Sequence, residues 1–188
     1  MAIVLQRKRK LRPSNDLNDD ECKFAKRELK WVKYSAENLS VDFCVFYDKS
    51  KADYIYAKLE EECDWNTGKA AQVMIFGRWH NIPRKQVHVY KDGEDYIGEH
   101  KDDEKDLVKT SPIASLSLGQ TRDFVLKHAD SRGKYAKRKM EKIKIELTHG
   151  SLLMMNYPTN IYWYHSIPIR KKATGIRINL TFRDFVTK

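Results

Sequence analysis

The chain has 188 residues, with 36 Lys and Arg against 26 Asp and Glu, and a formal charge of +10. Hydrophobic residues at 41% suffice for a core, which excludes a wholly disordered polycation, and no apolar run approaches the roughly 18 residues of a membrane span. The basic excess favours a polyanionic partner, and three cysteines without paired spacing (Cys22, Cys44, Cys63) favour a reducing compartment.

Residues 1–40 are dense in charge and poor in apolar periodicity, and are expected to form a basic, disordered tail ahead of one domain over 41–188. The tail starts apolar and then turns basic, the reverse of a secretory signal. Arg7-Lys8-Arg9-Lys10 reads equally as a nuclear localisation signal, a phosphate-gripping arm or a solvated run. Val41, Phe43, Val45 and Phe46 predict the first strand. Ser50 then reads as an N-cap, with Asp53 completing an acidic capping box. The helix expected from Lys51 to Glu62 carries Ala52, Ile55, Tyr56 and Leu59 at helical spacing.

Beyond Gly68, turn signals separate short strands. Strands are expected at Val73 to Phe76, with a turn at Gly77, and at Gln86 to Tyr90. Ile113 to Leu118 and Arg122 to His128 flank Gly119-Gln120-Thr121 and read as a hairpin. Met140 to Leu147 alternates, and Leu152 to Met155 is apolar enough for a strand covered on both sides. Ile176 to Phe182 is the last strand. Many short strands with one early helix predict a sandwich or barrel with the helix packed outside.

Three stretches carry polar groups that a plain β-domain does not need. In an extended chain, His100 and Asp102 point the same way, which sets an imidazole beside a carboxylate. His165, in an aromatic segment, could add a second imidazole, and two His plus one carboxylate suit a divalent iron with open positions. Taken singly, the pair reads as well as a surface accident, and His165 as a core-edge histidine. The strand Arg177 to Arg183 puts Ile178, Leu180 and Phe182 on one face and Arg177, Asn179, Thr181 and Arg183 on the other. Its two arginines lie roughly 20 Å apart at about 3.3 Å per residue, so they could reach opposite ends of a small dianion. A solvent-facing basic strand fits the periodicity equally well.

The ordered set of these motifs resembles one family. Tyr90-Lys91-Asp92-Gly93, His100-Lys101-Asp102-Asp103-Glu104, Ser111-Pro112-Ile113-Ala114-Ser115, Arg122-Asp123-Phe124, His149 through Asn156, His165-Ser166 and Arg177-x-Asn179-x-Thr181-Phe182-Arg183 are together similar to the AlkB-type iron(II)/2-oxoglutarate dioxygenases. The resemblance runs from about Asn38 to Arg183. It implies a mainly β, double-stranded β-helix (jelly-roll) fold with an outer helix, either complete or cut short. It implies an enzyme that repairs DNA by oxidative demethylation of N-alkylated bases such as 1-methyladenine and 3-methylcytosine, using Fe(II), 2-oxoglutarate and O2. The expected substrate is alkylated, double-stranded DNA, and the expected state is a monomer in the nucleus, with no membrane partner.

By the same resemblance, His100, Asp102 and His165 would bind iron. Tyr90, Arg177, Asn179, Thr181 and Arg183 would serve 2-oxoglutarate, Arg177 at its distal carboxylate. Asp103 would contact the target base, while Phe76, Gly77 and Arg78 match a hairpin that enters the duplex and fills the gap left by a flipped nucleotide. Arg132, Gly133 and Lys134 resemble contacts to the DNA backbone, extended by Lys137, Arg138 and Lys139. One departure stands out. Family members carry a segment, including an aromatic wall for the damaged base, between the counterparts of Gln86 and Val87, which here adjoin. An amide-bearing cosubstrate contact is replaced by His88, which shares a face with Tyr90. A shortened, catalytically impaired DNA-binding variant is the alternative expectation.

Overall fold

The alternating segments assemble, in a computed structural model, into two antiparallel sheets that share one core. Residues 28–62, 72–75, 78–81, 84–85, 87–134 and 136–186 are described, those from 62 to 88 by backbone alone. In chain order the elements are β1 (Val32–Ala36), β2 (Leu39–Val45), α1 (Lys49–Glu62), β3 (Gln72–Ile75), β4 (Arg78–Asn81), β5 (Arg84–Lys85) and β6 (Val87–Tyr90). They continue with β7 (Ile97–His100), β8 (Ile113–Gly119), β9 (Arg122–His128), β10 (Ile143–Leu147), β11 (Ser151–Met155), α2 (Thr159–Tyr162), β12 (Trp163–Ile167) and β13 (Arg177–Phe182).

One sheet has the order β1-β2-β11-β8-β13-β6-β5, the other β10-β9-β12-β7, and β3-β4 stands as a separate pair. The eight strands β6 to β13 therefore divide four and four between the two sheets, as a jelly roll requires. The shortening at Gln86 precedes the first of these strands, so all eight are present. β5 pairs directly with β6, Arg84 opposite His88 and Lys85 opposite Val87, which covers the outer edge of β6 along this short stretch.

The inward faces of both sheets meet in the core. Leu39, Val41, Ile113, Leu153 and Met155 from one sheet pack with Phe124, Leu126, Ile145, Leu147, Trp163 and Ile167 from the other. A second cluster lies outside the larger sheet, where Ala52, Ile55, Tyr56 and Leu59 of α1 cover Leu118 and Ile178. This is the outer helix expected from its apolar spacing. No helix among the described residues is long and apolar enough to cross a membrane.

Four expectations are corrected. The sheet begins at Val32, before the expected boundary at residue 41, because β1 pairs with β2 and the Trp163 indole donates to the Glu37 carbonyl at 3.0 Å. Residues 1–27, with Arg7-Lys8-Arg9-Lys10, lie outside the described residues, as do Cys22 and Cys63; Cys44 is buried. The cap of α1 is Asp48, whose Oδ1 accepts from the Lys51 N–H at 2.8 Å, and Asp53 instead meets Lys49 and His149. The segments around Gly119 form no hairpin, since β8 and β9 belong to different sheets and the chain crosses between them at Gly119 with φ +81°. Finally, β11 is covered fully on one face only, with Leu153 and Met155 in the core and Leu152 and Met154 half-buried.

Arg122 ties the loop between β6 and β7 to the residue after β12. It is fully buried on β9 and donates to three backbone carbonyls, Asp92 at 2.9 Å, Asp95 at 2.7 Å and Pro168 at 2.8 Å. Those carbonyls have no strand partner to replace it. Arg122→Met is therefore expected to lower the unfolding free energy by about 3 kcal/mol, read from a urea transition, through buried acceptors left unpaired.

Candidate metal and cosubstrate site

His100 ends β7, and His165 sits directly opposite it on β12. Residues opposite one another in an antiparallel pair share a face, and the two rings lie 4.2 Å apart between centroids. Asp102 follows in the loop, with its Oδ1 3.8 Å from each histidine Nε2. All three donor atoms fall within 4.8 Å of one another, the one such cluster among the described residues.

The surroundings leave the nitrogens free to bind a cation. His100 Nδ1 donates to the Gly98 carbonyl at 2.9 Å, which selects the tautomer with a bare Nε2. His165 is buried and stacked on Phe124, and burial, helped by the charges of His100 and Arg183, holds its pKa well below the usual imidazole range. It is neutral at pH 7. Burial also pushes the Asp102 carboxyl upward, against the pull of Arg183 and His100. The Arg183 guanidinium meets Asp102 Oδ1 at 2.9 Å and also pairs with Glu104. Two imidazoles and a carboxylate fit an iron(II) ion by donor type and by spacing.

β13 and Arg183 just beyond it add polar groups to the cavity, and the polar face of the strand points inward. Arg177, Asn179, Thr181 and Arg183 line the same cleft as Tyr90, His100, Asp102 and His165. Arg177 is 1% exposed. Its Nη2 donates to Ser117 Oγ at 2.9 Å and Asn179 Oδ1 at 2.7 Å, and its guanidinium lies 4.8 Å from the Tyr90 ring centre. Nε and Nη1 are buried with no hydrogen-bond partner. A buried cation with two idle donors is costly by itself and suits a carboxylate. Asn179 is a wall residue that orients this arginine, since its Oδ1 also accepts from Ser115 at 2.8 Å and its Nδ2 donates to Thr181 at 2.9 Å. Burial raises the pKa of the Tyr90 hydroxyl, against the two arginines near its ring. The backbone of His88 pairs with Asn179, and its side chain lies outside the description.

Residues expected to meet DNA are divided. Phe76 and Gly77 lie outside the described residues, although β3 and β4, with Ile75 opposite Arg78, make the two arms of a hairpin around them. Asp103 is exposed beside Asp102. Gly133 has φ +68° and Lys134 is exposed, while Arg132 pairs with Glu99 at 2.9 Å and lies 4.3 Å from the Tyr164 ring centre. Lys137 and Lys139 are exposed. Arg138 is occupied by the fold, with Glu37 taking both terminal nitrogens at 2.8 and 2.7 Å and Asp130 taking Nε at 3.1 Å. Sequence reasoning missed Glu104 and Asn160. Glu104 closes the His100 to Glu104 motif with no role assigned to it, and Asn160 acts 58 residues from its partner, where no local pattern exists.

The family model described as the 2OG-Fe(II) oxygenase superfamily matches residues 79–183. DNA oxidative demethylase ALKBH2 of Bos taurus is 42% identical over 203 residues, covering 84% of this chain and 73% of its own length. Its namesakes in Mus musculus and Homo sapiens are each 42% identical over 201 residues, covering 83% of this chain and 84% and 77% of theirs. The 203 aligned positions exceed what 84% of a 188-residue chain can supply, so the bovine relative carries residues within the matched span that this chain lacks.

Proposed function

Because the chain belongs to the AlkB-type branch of the 2OG-Fe(II) oxygenase superfamily, we propose that it repairs DNA by oxidative demethylation of N-alkylated bases such as 1-methyladenine and 3-methylcytosine. The observation that carries this reading is the pairing, in one cleft, of a His-Asp-His cluster with a buried arginine that has two idle donor nitrogens. His100, Asp102 and His165 would hold Fe(II), and the bound iron supplies the coupling of O2 reduction and 2-oxoglutarate decarboxylation to oxidation of an N-methyl group. Overall, the methyl carbon leaves as formaldehyde, and 2-oxoglutarate leaves as succinate and carbon dioxide.

The chain's own residues bind and orient. Arg177 takes the distal carboxylate of 2-oxoglutarate, and Tyr90 packs against its guanidinium and closes the deep end to water. Arg183, just past the end of β13, pairs with Asp102 and offers a cationic wall near the other end of the cosubstrate. Thr181 and Asn179 complete that polar wall. Asp103, at the rim, accepts from the exocyclic amine of an extruded base. Phe76, Gly77 and Arg78 serve as the wedge that replaces it in the stack. Arg132, Gly133 and Lys134 contact phosphates, which gives salt-sensitive affinity without sequence choice. The substrate is double-stranded DNA and the working species is a monomer in the nucleus, where Arg7-Lys8-Arg9-Lys10 would direct it.

Incubation of the full chain with Fe(II), 2-oxoglutarate and a duplex holding one 1-methyladenine is expected to release equal amounts of succinate and formaldehyde. Succinate release that does not respond to the methylated duplex would indicate another substrate. A second reading is kept because the relatives carry residues that this chain lacks: binding of alkylated DNA without turnover. It predicts salt-dependent duplex binding and bound iron with neither product formed.

A further inference from the structure

No strand holds Asp102, because β7 ends at His100 and residues 101–104 belong to no ladder. Its peptide groups are nevertheless both captured. The Asp102 N–H donates to Asn160 Oδ1 at 3.0 Å, and Asn160 Nδ2 donates to the Asp102 carbonyl at 2.7 Å. One carboxamide thus does for a loop residue what a neighbouring strand does in a sheet. The residue before it repeats the device toward the larger sheet. Thr159 is fully buried, and its Oγ1 accepts from the Ser40 N–H at 2.8 Å and donates to the Ser40 carbonyl at 3.0 Å. The Lys101 ammonium also donates to the Ile161 carbonyl. The single turn α2 therefore ties the Asp102 loop to β2, with Asn160 five residues ahead of His165.

We propose that Asn160 is a positioning residue for the metal site, holding the Asp102 backbone so that its carboxylate faces the two imidazoles before any ion arrives. The proposal rests on the reading of His100, Asp102 and His165 as ligands. A loop released from Asn160 would have to be ordered by the metal itself, and that ordering is subtracted from affinity. Partners of this outer kind are typically worth about 10–100-fold in metal affinity.

Two measurements test it. Anaerobic titration of Fe(II) in the presence of 2-oxoglutarate, followed by the visible charge-transfer band, gives metal affinity. Amide hydrogen exchange of the metal-free chain gives the protection of the Asp102 N–H. Asn160→Ala is expected to weaken Fe(II) binding by about 10–100-fold and to speed Asp102 exchange by at least about tenfold. Asn160→Asp keeps the volume and the acceptor but sets an oxygen against the Asp102 carbonyl oxygen. It is expected to weaken Fe(II) binding as well, which a role in packing alone would not produce, and it decides the matter should the alanine variant fail to fold. Wild-type Fe(II) affinity in Asn160→Asp overturns the clamp. Failure of the unaltered chain to bind Fe(II) overturns instead the ligand reading beneath it.

Discussion

Asp102→Ala is expected to remove succinate and formaldehyde release by at least about a thousandfold, equivalent to about 4 kcal/mol, while salt-dependent duplex binding stays within about twofold. Asp102 is the one anionic member of the cluster, and its Oδ1 stands 3.8 Å from both histidine Nε2 atoms. Without it, two imidazoles face the guanidinium of Arg183, left with Glu104 as its remaining anion. A cation entering that space would meet net repulsion in a poorly solvated cleft. Duplex affinity depends on different groups, the exposed lysines and arginines, so it should survive. A thermal scan separates loss of the site from loss of the fold. Retention of more than about a tenth of the activity in a folded variant would show that Asp102 is no ligand. Should the unaltered chain already behave as the variant does, binding DNA and releasing nothing, the binding-only reading prevails.

How far the sequence carries depends on whether the controlling interaction is local. The alternation of Arg177, Asn179, Thr181 and Arg183 is local, and so is the His100-x-Asp102 step; both are visible as period-two patterns. Which way the β13 pattern faces is not local. Polar residues on a strand ordinarily face water, yet here Ile178 is covered by α1 and the polar face lines the cleft. Gly119-Gln120-Thr121 carries turn chemistry, but turn chemistry does not distinguish a reversal within one sheet from a crossing between two. That choice is made by the partners of β8, which are β11 and β13. The cap of α1 failed for a related reason. Asp48 and Ser50 are both good capping residues, and the Phe46 and Tyr47 amides, bonded to the Gly150 carbonyl at 2.9 and 3.0 Å, fix where the preceding strand ends and let Asp48 win.

Arg177→Met is expected to raise the KM for 2-oxoglutarate by about 100–1,000-fold, the range for truncating one partner of a buried charged pair, with the metal-free and ligand-free protein no less stable than the unaltered chain. The second half of that expectation follows from the orphan atoms. Nε and Nη1 of Arg177 are desolvated without hydrogen-bond return, so an apolar side chain of similar length relieves a standing penalty. Asn179 Oδ1 keeps Ser115 as a donor at 2.8 Å after the change. Arg122, on β9 of the opposite sheet, is the internal contrast. Both guanidinium groups approach the Tyr90 ring, at 4.8 and 5.3 Å, and both side chains are buried. Arg122 uses both terminal nitrogens on three carbonyls of the fold and leaves only Nε without a partner, whereas Arg177 leaves Nε and the terminal Nη1. Substitution should therefore separate them by sign. Arg122→Met should unfold in less urea, and Arg177→Met should not. With 2-oxoglutarate and Mn(II) at about 100 times Kd, the unaltered chain should gain about 2.7 kcal/mol, and Arg177→Met little of it. An Arg177→Met protein that keeps the original KM, or that is destabilised as Arg122→Met is, would mean that the buried guanidinium serves the barrel and not a carboxylate.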